Sequence, residues 1–280
     1  MKPRSILDLL SPYRILKRMG PRAELVCELT KRDVVLDVKG SLLGLFWTVL
    51  NPLLMLTVYA VVFGLIFGAR FEQSPNPSAA DYVLGLFLGL ALYRLVADIL
   101  LMAPRLIVNQ PDYVKKVVFP LEVLPVSLLC VGIYRFMITF LLLISGVALF
   151  GQEINWSILL FPICMCPIIL FALGIAYFIS AVGVFFRDLS QVTGVLSVVL
   201  LYASGVFYPA VKVQMLAPEI WAWLKWNPIL LIIDASRRVL LWGLLPSSSE
   251  LFYVWFTGLF VCFAGYFVFM KLRPTFADVL

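Results

Sequence analysis

The stretch SLLGLFWTVLNPLLMLTVYAVVFGLIFGA occupies residues 41–69 and contains no charged side chain. A helix that crosses the hydrocarbon core of a bilayer needs about 20 mostly apolar residues, so this stretch predicts a membrane-spanning helix. It is too long and too rich in leucine for a secretory signal peptide, and it follows a charged leader, residues 1–40. The stretch therefore indicates an integral membrane protein.

The whole chain has the same apolar character. Its 280 residues are 62% hydrophobic and 14% charged, with a mean hydropathy of +1.01, whereas soluble domains carry about 25% charged residues. This composition excludes soluble enzymes, nucleic-acid-binding proteins and secreted disulfide-stabilised domains. Histidine is absent, which excludes histidine-based metal sites and proton switches. The five cysteines lie mostly in apolar runs, where a role as small hydrophobic residues is favoured over metal binding.

Further apolar stretches predict five more spans. The six predicted spans occupy residues 41–69, 82–103, 126–150, 156–186, 189–207 and 251–270. An even number of spans returns the chain to the side on which it began, so both termini are expected on one side of the membrane. The predicted fold is an all-α integral membrane protein, in which residues 41–280 form the transmembrane domain and residues 1–40 form an amphipathic segment on the membrane surface.

The region between the fifth and sixth predicted spans, residues 207–245, has no piece long enough to cross the membrane. Prolines interrupt it and four tryptophans crowd into it, namely Trp221, Trp223, Trp226 and Trp242. One interpretation is a loop at the headgroup level, which tryptophan prefers. The other is a pair of short re-entrant helices, which are tolerated at membrane depth only where protein or water covers their backbone. The sequence favours the helices.

The distribution of basic residues predicts the orientation. Fifteen of the 22 basic residues fall on the side of the termini, five fall on the other side, and Arg94 and Arg135 lie within spans. Because basic residues are enriched in cytoplasmic loops, both termini are expected in the cytoplasm.

Charged residues within the spans are costly there and usually face a partner or a water path. Arg94 and Asp98 are four residues apart, so they can pair on one helix face. Arg135 has no evident local partner, and it could meet a carboxylate on another helix, such as Asp98, or bind an anionic ligand or lipid. Both a structural ion pair and a role in a translocation path remain open for these three residues.

No catalytic constellation is present in the sequence. A GxxxxGK[ST] phosphate-binding loop and clustered carboxylates are both absent, so the chain has no ATP site of this kind. The most structured polar element is residues 109–120, where Asp112 precedes Lys115 and Lys116 in an order that suits the dipole of a short helix. This element is either an ordinary basic loop or a helix that docks a cytoplasmic partner.

A series of short motifs runs in order through nearly the whole chain. The motifs are Arg32-Asp33, Gly40-Ser41-Leu42-Leu43-Gly44, Trp47, Leu50, Pro52, Leu53, Tyr59, Phe63, Asn109, residues 114–120, Leu124-Pro125, Phe186-Arg187-Asp188, Asn227-Pro228, Leu272-Arg273-Pro274 and Phe276-Ala277-Asp278. In this order they resemble the membrane subunits of type-2 ABC exporters, in the branch that moves lipid-linked polysaccharides (O-antigen, teichoic acid and capsule permeases).

The resemblance implies a transporter subunit that is not itself an enzyme. It implies a homodimer in the bacterial inner membrane, bound to two copies of a separate ABC ATPase that would hold ATP and Mg²⁺, with no cofactor or metal in this chain. Residues 109–120 would form the coupling helix that docks on the ATPase. Residues 1–40 would act as a gate element at the membrane interface, and residues 207–245 would close the outer mouth of the transporter. The residues expected to couple to the ATPase are Asn109, Asp112, Lys115, Lys116, Phe119, Arg187 and Asp188.

The resemblance also implies a route for an undecaprenyl-diphosphate-linked glycan. The lipid would come from the inner leaflet between the first and fifth spans, where Lys31, Arg32 and Lys39 would attract the diphosphate. Aromatic faces suit a sliding sugar chain because they contact C–H groups without fixed hydrogen bonds. The candidates on the path are Tyr59, Phe63, Tyr202, Phe207 and Tyr208. The structural alternative is that these rings pack helices or face lipid.

Three other functions compete with polysaccharide export. The sequence distinguishes poorly between a polysaccharide exporter and an ABC exporter of another lipid or a drug. A stand-alone channel is a further alternative. A membrane-embedded enzyme that acts on polyprenyl lipids is disfavoured, because clustered acidic residues are lacking. The sequence leaves open whether the glycan is O-antigen, capsule or teichoic acid.

Overall fold

The computed structural model describes residues 22–38, 46–71, 74, 77–115, 119–150 and 155–279. Every regular element in these ranges is a helix, as expected for an all-α membrane protein. Several predictions fall outside the described residues: most of the amphipathic segment (1–21), the start of the first span (41–45), Lys39 and Lys116.

The described chain forms twelve α-helices. The first six are α1 (Ala23–Val38), α2 (Phe46–Tyr59), α3 (Ala79–Met102), α4 (Pro111–Lys115), α5 (Val123–Leu149) and α6 (Phe161–Gly183). The last six are α7 (Leu189–Ala203), α8 (Ala210–Leu216), α9 (Pro218–Leu224), α10 (Pro228–Leu240), α11 (Ser248–Leu272) and α12 (Phe276–Val279). A π-helical segment, Ala60–Ile66, extends α2, and short 3₁₀ turns flank α3, α6 and α11.

Five helical segments are long and apolar enough to cross a membrane. They are Phe46–Ile66, Ala79–Arg105, Val123–Leu149, Trp156–Gly183 and Ser248–Val279. Helices long enough to span therefore lie at five of the six predicted spans. The chain is a multi-pass membrane protein, and the fifth predicted span requires a closer description.

The helix at the fifth predicted span is shorter than the expected range 189–207. The α7 helix ends at Ala203 after 15 residues, because Gly205 adopts a left-handed backbone conformation with φ of +63° and turns the chain. The apolar sequence continues beyond this turn, so hydropathy alone could not place the helix end. The following region contains the three short helices α8, α9 and α10, where the sequence predicts a pair of re-entrant helices.

The α3 helix is the centre of the bundle. It is the most buried of the five long segments and contributes many residues to the main hydrophobic core, which it shares with α5, α6 and α10. The α2 helix lies at the periphery, with only 6% of its most apolar 18-residue window buried. Apolar side chains such as Leu54, Met55 and Val58 are therefore exposed, whereas Leu56 and Tyr59 pack against the core.

Small residues bring α6 and α11 into backbone contact. A Cβ atom placed on Gly265 would lie 2.0 Å from the carbonyl oxygen of Gly174, and one on Gly258 would lie 2.7 Å from that of Pro167. Close approach through glycine is a common way for helices to associate in membranes, where packing replaces the hydrophobic driving force. This contact fixes the last long helix against the rest of the bundle.

A second hydrophobic cluster closes one end of the bundle, which we call the α1 end. Leu29 of α1, Val114 of α4 and Phe276 of α12 are all buried in it, together with residues at the first turn of α5. The α1 helix is thus docked on the same end as the short α4 helix and the C-terminal residues. The opposite end, which holds α10, we call the α10 end.

Candidate functional site

A cavity of about 640 Å³ lies between α2, α3, α5 and α7. Trp47 and Asn51 of α2 form one wall, and Tyr93 of α3 is fixed in another wall by donating a hydrogen bond of 2.6 Å to the carbonyl oxygen of Ser197 in α7. Apolar side chains such as Phe136 complete the lining. The cavity therefore joins four helices of the bundle.

The three charged residues predicted within spans meet in this cavity. The Arg135 guanidinium donates a hydrogen bond of 2.9 Å to Oδ2 of Asp98, and Nε of Arg94 lies 3.9 Å from the other carboxylate oxygen. The Asp98 carboxylate thus lies close to both arginines. The structure thus contains both the pair within α3 and the contact between α3 and α5 that the sequence raised as one alternative.

Four of the five aromatic residues predicted on a sugar path form one cluster at the α10 end. Phe207 is buried at its centre, with its ring 4.5 Å from Phe63, 5.1 Å from Tyr59 and 5.7 Å from Tyr202. Tyr59 also lines the cavity. The fifth residue, Tyr208, packs against the same hydrophobic core and donates its hydroxyl to the carbonyl oxygen of Tyr202 at 2.5 Å.

The aromatic cluster therefore connects the end of α2 with the turn after α7. Tyr202 is exposed while Phe207 is buried, so the cluster reaches from the core to the surface. This position suits either a helix-packing role or a surface along which a chain of sugars slides.

Within the predicted coupling element, residues 109–120, the structure describes the helix Pro111–Lys115. Val114 anchors it in the α1-end cluster, and the ring of Tyr113 stacks on Phe119 with centroids 4.3 Å apart and 8° between the planes. Asn109, Asp112 and Lys115 are exposed. The anchor residues and the exposed residues thus give the element one buried side and one free side.

A second exposed element lies at the same end. Phe186, Arg187 and Asp188 form the connection between α6 and α7, and all three are exposed. Arg105, at the end of α3, donates to the hydroxyl of Ser190 at 3.3 Å and so holds this connection near the α3 terminus. The surface at the α1 end therefore displays polar groups beside the exposed rings of Phe185 and Phe186.

The cations predicted to attract a diphosphate lie on α1. Arg32 donates to Asp33 at 2.8 Å and to the hydroxyl of Tyr113 at 2.8 Å, which ties α1 to α4. Lys31 is exposed and lies 3.4 Å from Glu28; Cys27 and Glu28 raise the pKa of Lys31, so it stays protonated. Lys39 lies outside the described residues.

Glu122 is a central residue of the α1 end that the sequence did not single out. It is buried at the start of α5, and its two carboxylate oxygens pair with Arg22, before α1, and with Arg273, after α11, the latter at 2.8 Å. The hydroxyl of Tyr177 donates to its carbonyl oxygen at 3.1 Å. A lone acidic residue between two prolines gave no signal for this role, because its partners are distant in sequence.

Arg237 is the second residue that the sequence missed. It is buried on α10 and donates to three carbonyl oxygens, those of Gly85, Gly205 and Val206, at 2.9, 2.7 and 2.6 Å. A Cβ atom on Gly89 would lie 2.5 Å from its guanidinium. Arg237 therefore fastens α10 to α3 and to the turn after α7. In the sequence, Arg237 is one of the basic residues between the fifth and sixth predicted spans, and nothing distinguishes it from an ordinary loop residue.

Within the described ranges, no group of three or more acidic or cysteine side chains is placed to hold a metal ion. The cavity, the aromatic cluster and the α1 end are thus the features that could carry function.

These features belong to a membrane transport protein, and the comparison with known families identifies the class. Residues 24–241 match the ABC-2 type transporter family. The chain belongs to this family, whose members are membrane subunits of ABC transporters.

The more specific similarity is to polysaccharide permeases. The O-antigen export system permease protein of Myxococcus xanthus is 26% identical over 266 residues, which cover 95% of this chain and 98% of the relative. A protein of the same name from Klebsiella pneumoniae is 26% identical over 267 residues, covering 94% and 97%. The polysialic acid transport protein of Escherichia coli is 23% identical over 224 residues, covering 80% and 83%.

Proposed function

We propose that this chain is the permease subunit of an ABC transporter that exports a lipid-linked polysaccharide, such as lipopolysaccharide O-antigen, across the bacterial inner membrane. The observation that carries the proposal is the similarity over 95% of the chain to an O-antigen export permease. The similarity to a polysialic acid transport protein is consistent with the same class of cargo.

The proposed topology has six spans and three short re-entrant helices. The ion pairs of Glu122 with Arg22 and Arg273 join residues near both ends of the chain at the α1 end. The chain returns to the end where it began only after an even number of crossings, so α7 is proposed as the crossing additional to the five long segments. At about 1.5 Å per residue its 15 residues cover roughly 22 Å, and α8 to α10 would complete the outer part of the bundle.

The proposed assembly is a homodimer of this chain with two copies of an ABC ATPase that binds ATP and Mg²⁺. The ATPase would dock on the α1 end in the cytoplasm, against Asn109, Asp112 and Lys115 of the α4 element and against Arg187 and Asp188. Support comes from the geometry: these side chains are exposed, whereas Tyr113 and Val114 tie the same element to the bundle. A movement of the ATPase would therefore be transmitted to α5 and α1.

The proposed path for the cargo runs along α2 and α7. Cations of α1 would attract the diphosphate, and the sugar chain would pass the aromatic cluster centred on Phe207. The ring of Phe207 contacts Tyr59 of α2, and the ring of Tyr202 contacts Phe207. A small rotation of α2 or α7 would therefore change the opening between the two helices. The re-entrant region fastened by Arg237 would close the outer mouth.

The test of this function has two parts. Deletion of the gene should remove the polysaccharide from the cell surface, and the wild-type gene should restore it. In the complemented strain, Lys115→Glu should reduce both export and co-purification of the ATPase, because the charge of the proposed docking surface is reversed.

The matched control for this variant is Lys212→Glu, which reverses another exposed charge, on α8 at the α10 end. It should leave ATPase co-purification unchanged. Unaltered co-purification and export in Lys115→Glu would contradict the docking surface, whereas normal surface polysaccharide in the deletion strain would contradict the function itself.

A further inference from the structure

Buried side chains bind three consecutive carbonyl oxygens in the turn after α7. The guanidinium of Arg237, on α10, donates to the carbonyl oxygens of Gly205 and Val206 at 2.7 and 2.6 Å. The hydroxyl of Tyr82, on α3, donates to the carbonyl oxygen of Phe207 at 3.2 Å. Loops usually leave such groups to water, whereas here donors from two other helices fix the backbone of the turn.

The α10 helix also binds the residue at which α7 ends. Asn227, the N-cap of α10, accepts a hydrogen bond from the amide of Ile229 at 3.0 Å and donates from Nδ2 to the carbonyl oxygen of Ala203, also at 3.0 Å. Capping the helix requires only the first of these bonds. The second bond, together with the bonds of Arg237, joins both ends of α10 to the end of α7 and its turn.

The α3 helix provides the space that Arg237 occupies. A Cβ atom on Gly89 would lie 2.5 Å from Nη2 of Arg237, and one on Gly85 would lie 2.7 Å from the ring of Phe71. That ring lies under the guanidinium, whose carbon is 4.3 Å from the ring centroid. Burial of a charged group is costly unless it is hydrogen-bonded, and the turn after α7 supplies two of the three acceptors. Arg237 and the turn therefore stabilise each other.

The residue that this turn presents is Phe207, the centre of the aromatic cluster. Its ring centroid lies 4.5 Å from that of Phe63 and 5.1 Å from that of Tyr59. Phe63 belongs to the π-helical segment Ala60–Ile66, and π-helical turns are rare in proteins and occur often at functional sites. Both sides of this contact thus have an unusual backbone, which packing of two helices does not require.

We propose that three side chains, those of Tyr82, Asn227 and Arg237, are positioning residues for the cargo path. They hold Phe207 against α2, and they make its position depend on α10. A displacement of α10 would move the turn away from α2 and widen the path. This role rests on the function proposed above, because it requires that the aromatic cluster contacts the sugar chain. The control of the ring position by these side chains holds for any cargo.

The experiment observes the ring at position 207 directly. Para-fluorophenylalanine is incorporated in place of Phe207 in the purified full-length chain, and its fluorine NMR resonance is recorded in nanodiscs. Tyr82→Phe removes the hydroxyl that donates to the carbonyl oxygen of residue 207 and keeps the ring of residue 82. The resonance should shift or divide into two, because the loss of one buried hydrogen bond changes an equilibrium between conformations roughly fivefold.

A second variant tests the contribution of α10. Asn227→Asp keeps an acceptor that caps the helix but replaces the donor to Ala203 by a second acceptor. The resonance at position 207 should change in this variant as well, which serves as the test if Tyr82→Phe does not accumulate. Both variants should retain cooperative thermal unfolding.

The matched control is Tyr253→Phe, which removes a hydroxyl that donates to the carbonyl oxygen of Trp226 at 2.7 Å, outside the aromatic cluster. Its resonance should equal that of the wild type. An unchanged resonance in both Tyr82→Phe and Asn227→Asp would overturn the proposal, and so would an equal change in the control.

Export is scored in parallel as surface polysaccharide. Reduced export in Tyr82→Phe, with a changed resonance and normal export in Tyr253→Phe, supports the role in the cargo path. Wild-type export with a changed resonance contradicts that role. Surface polysaccharide that persists in the deletion strain contradicts the function proposed above, whereas a changed resonance in the same variants still supports the positioning of Phe207.

Discussion

At the scale of single residues, two buried groups hold the two ends of the bundle, and each connects segments that are distant in sequence. The carboxylate of Glu122 forms ion pairs with Arg22, which precedes α1, and with Arg273, which follows α11. Arg237 donates to the backbone of α3 and of the turn after α7. Their burial makes both groups sensitive to substitution, because an unpaired charge left inside a protein is costly.

The Glu122 cluster gives the prediction at this scale. Glu122→Gln removes the negative charge that Arg22 and Arg273 share, so α1 and the C-terminal residues should dissociate more readily from the α1 end. The expected loss is about 2 kcal/mol, the contribution of a hydrogen bond to a charged group. Limited trypsin digestion of purified protein should cut after Lys31 faster in the variant than in the wild type.

Glu24→Gln is the control for this measurement, since Glu24 is an exposed acidic residue in the first turn of α1. It should be digested at the wild-type rate. If Glu122→Gln is as resistant as the wild type, the ion pairs do not hold α1 in place.

At the scale of elements, hydropathy predicted the positions of the long helices, whereas the end of α7 and the burial of Arg237 depend on local geometry. The stretches around α3, α5, α6 and α11 are long, apolar and bounded by polar residues, so their existence followed from the sequence. The end of α7 did not, because Gly205 turns a chain that stays apolar on both sides. The burial of Arg237 also could not be predicted, since its acceptors are backbone carbonyl oxygens, which carry no sequence signal.

The charged residues of the candidate site could be predicted from the sequence, but the cavity around them could not. The spacing of Arg94 and Asp98 by four residues predicted their proximity on α3, and the rarity of charges in spans drew attention to Arg135. The cavity around them depends on how four helices pack, which one sequence does not specify. The contact of Phe207 with Tyr59 and Phe63 likewise depends on the turn after α7.

The contact of α6 with α11 gives the prediction at the element scale. Gly265→Ala would place a Cβ atom 2.0 Å from a backbone oxygen of α6, and backbone cannot move aside as a side chain can. The helices would have to separate, which should destabilise the protein by about 3 kcal/mol or more, at the upper end of overpacking effects. The Tm of the purified protein in detergent, followed by circular dichroism, measures this loss.

Gly146→Ala is the matched control in α5, where the added Cβ would meet only the end of the Leu84 side chain, at 3.1 Å. A shift of that flexible side chain should limit the change in Tm. Equal Tm values for the two variants would show that the α6–α11 backbone contact is not as close as described.

At the scale of the whole molecule, the number of crossings and the position of the termini constrain each other. The α1 end contains α1, α4 and α12, and the α10 end contains the three short helices. The α7 helix begins near the α1 end, where Ser190 contacts Arg105, and it is followed at the α10 end by a turn bound to Arg237. A helix that runs from one end of the bundle to the other is expected to cross the membrane despite its 15 residues.

This geometry predicts that α9 and α12 lie on opposite sides of the membrane. Single cysteines placed at the exposed positions Glu219 in α9 and Asp278 in α12, in a chain whose five native cysteines are replaced, report the two sides. In right-side-out membrane vesicles, a membrane-impermeant maleimide should label Glu219→Cys at once and Asp278→Cys only after permeabilisation. Protection of Glu219→Cys together with labelling of Asp278→Cys would contradict this arrangement, because either five crossings without α7 or an outward-facing α1 end would produce it. A third single cysteine at the exposed position Lys115 in α4 separates the two: labelling of Lys115→Cys in sealed vesicles would show that the α1 end faces outward, and its protection would show that α7 does not span.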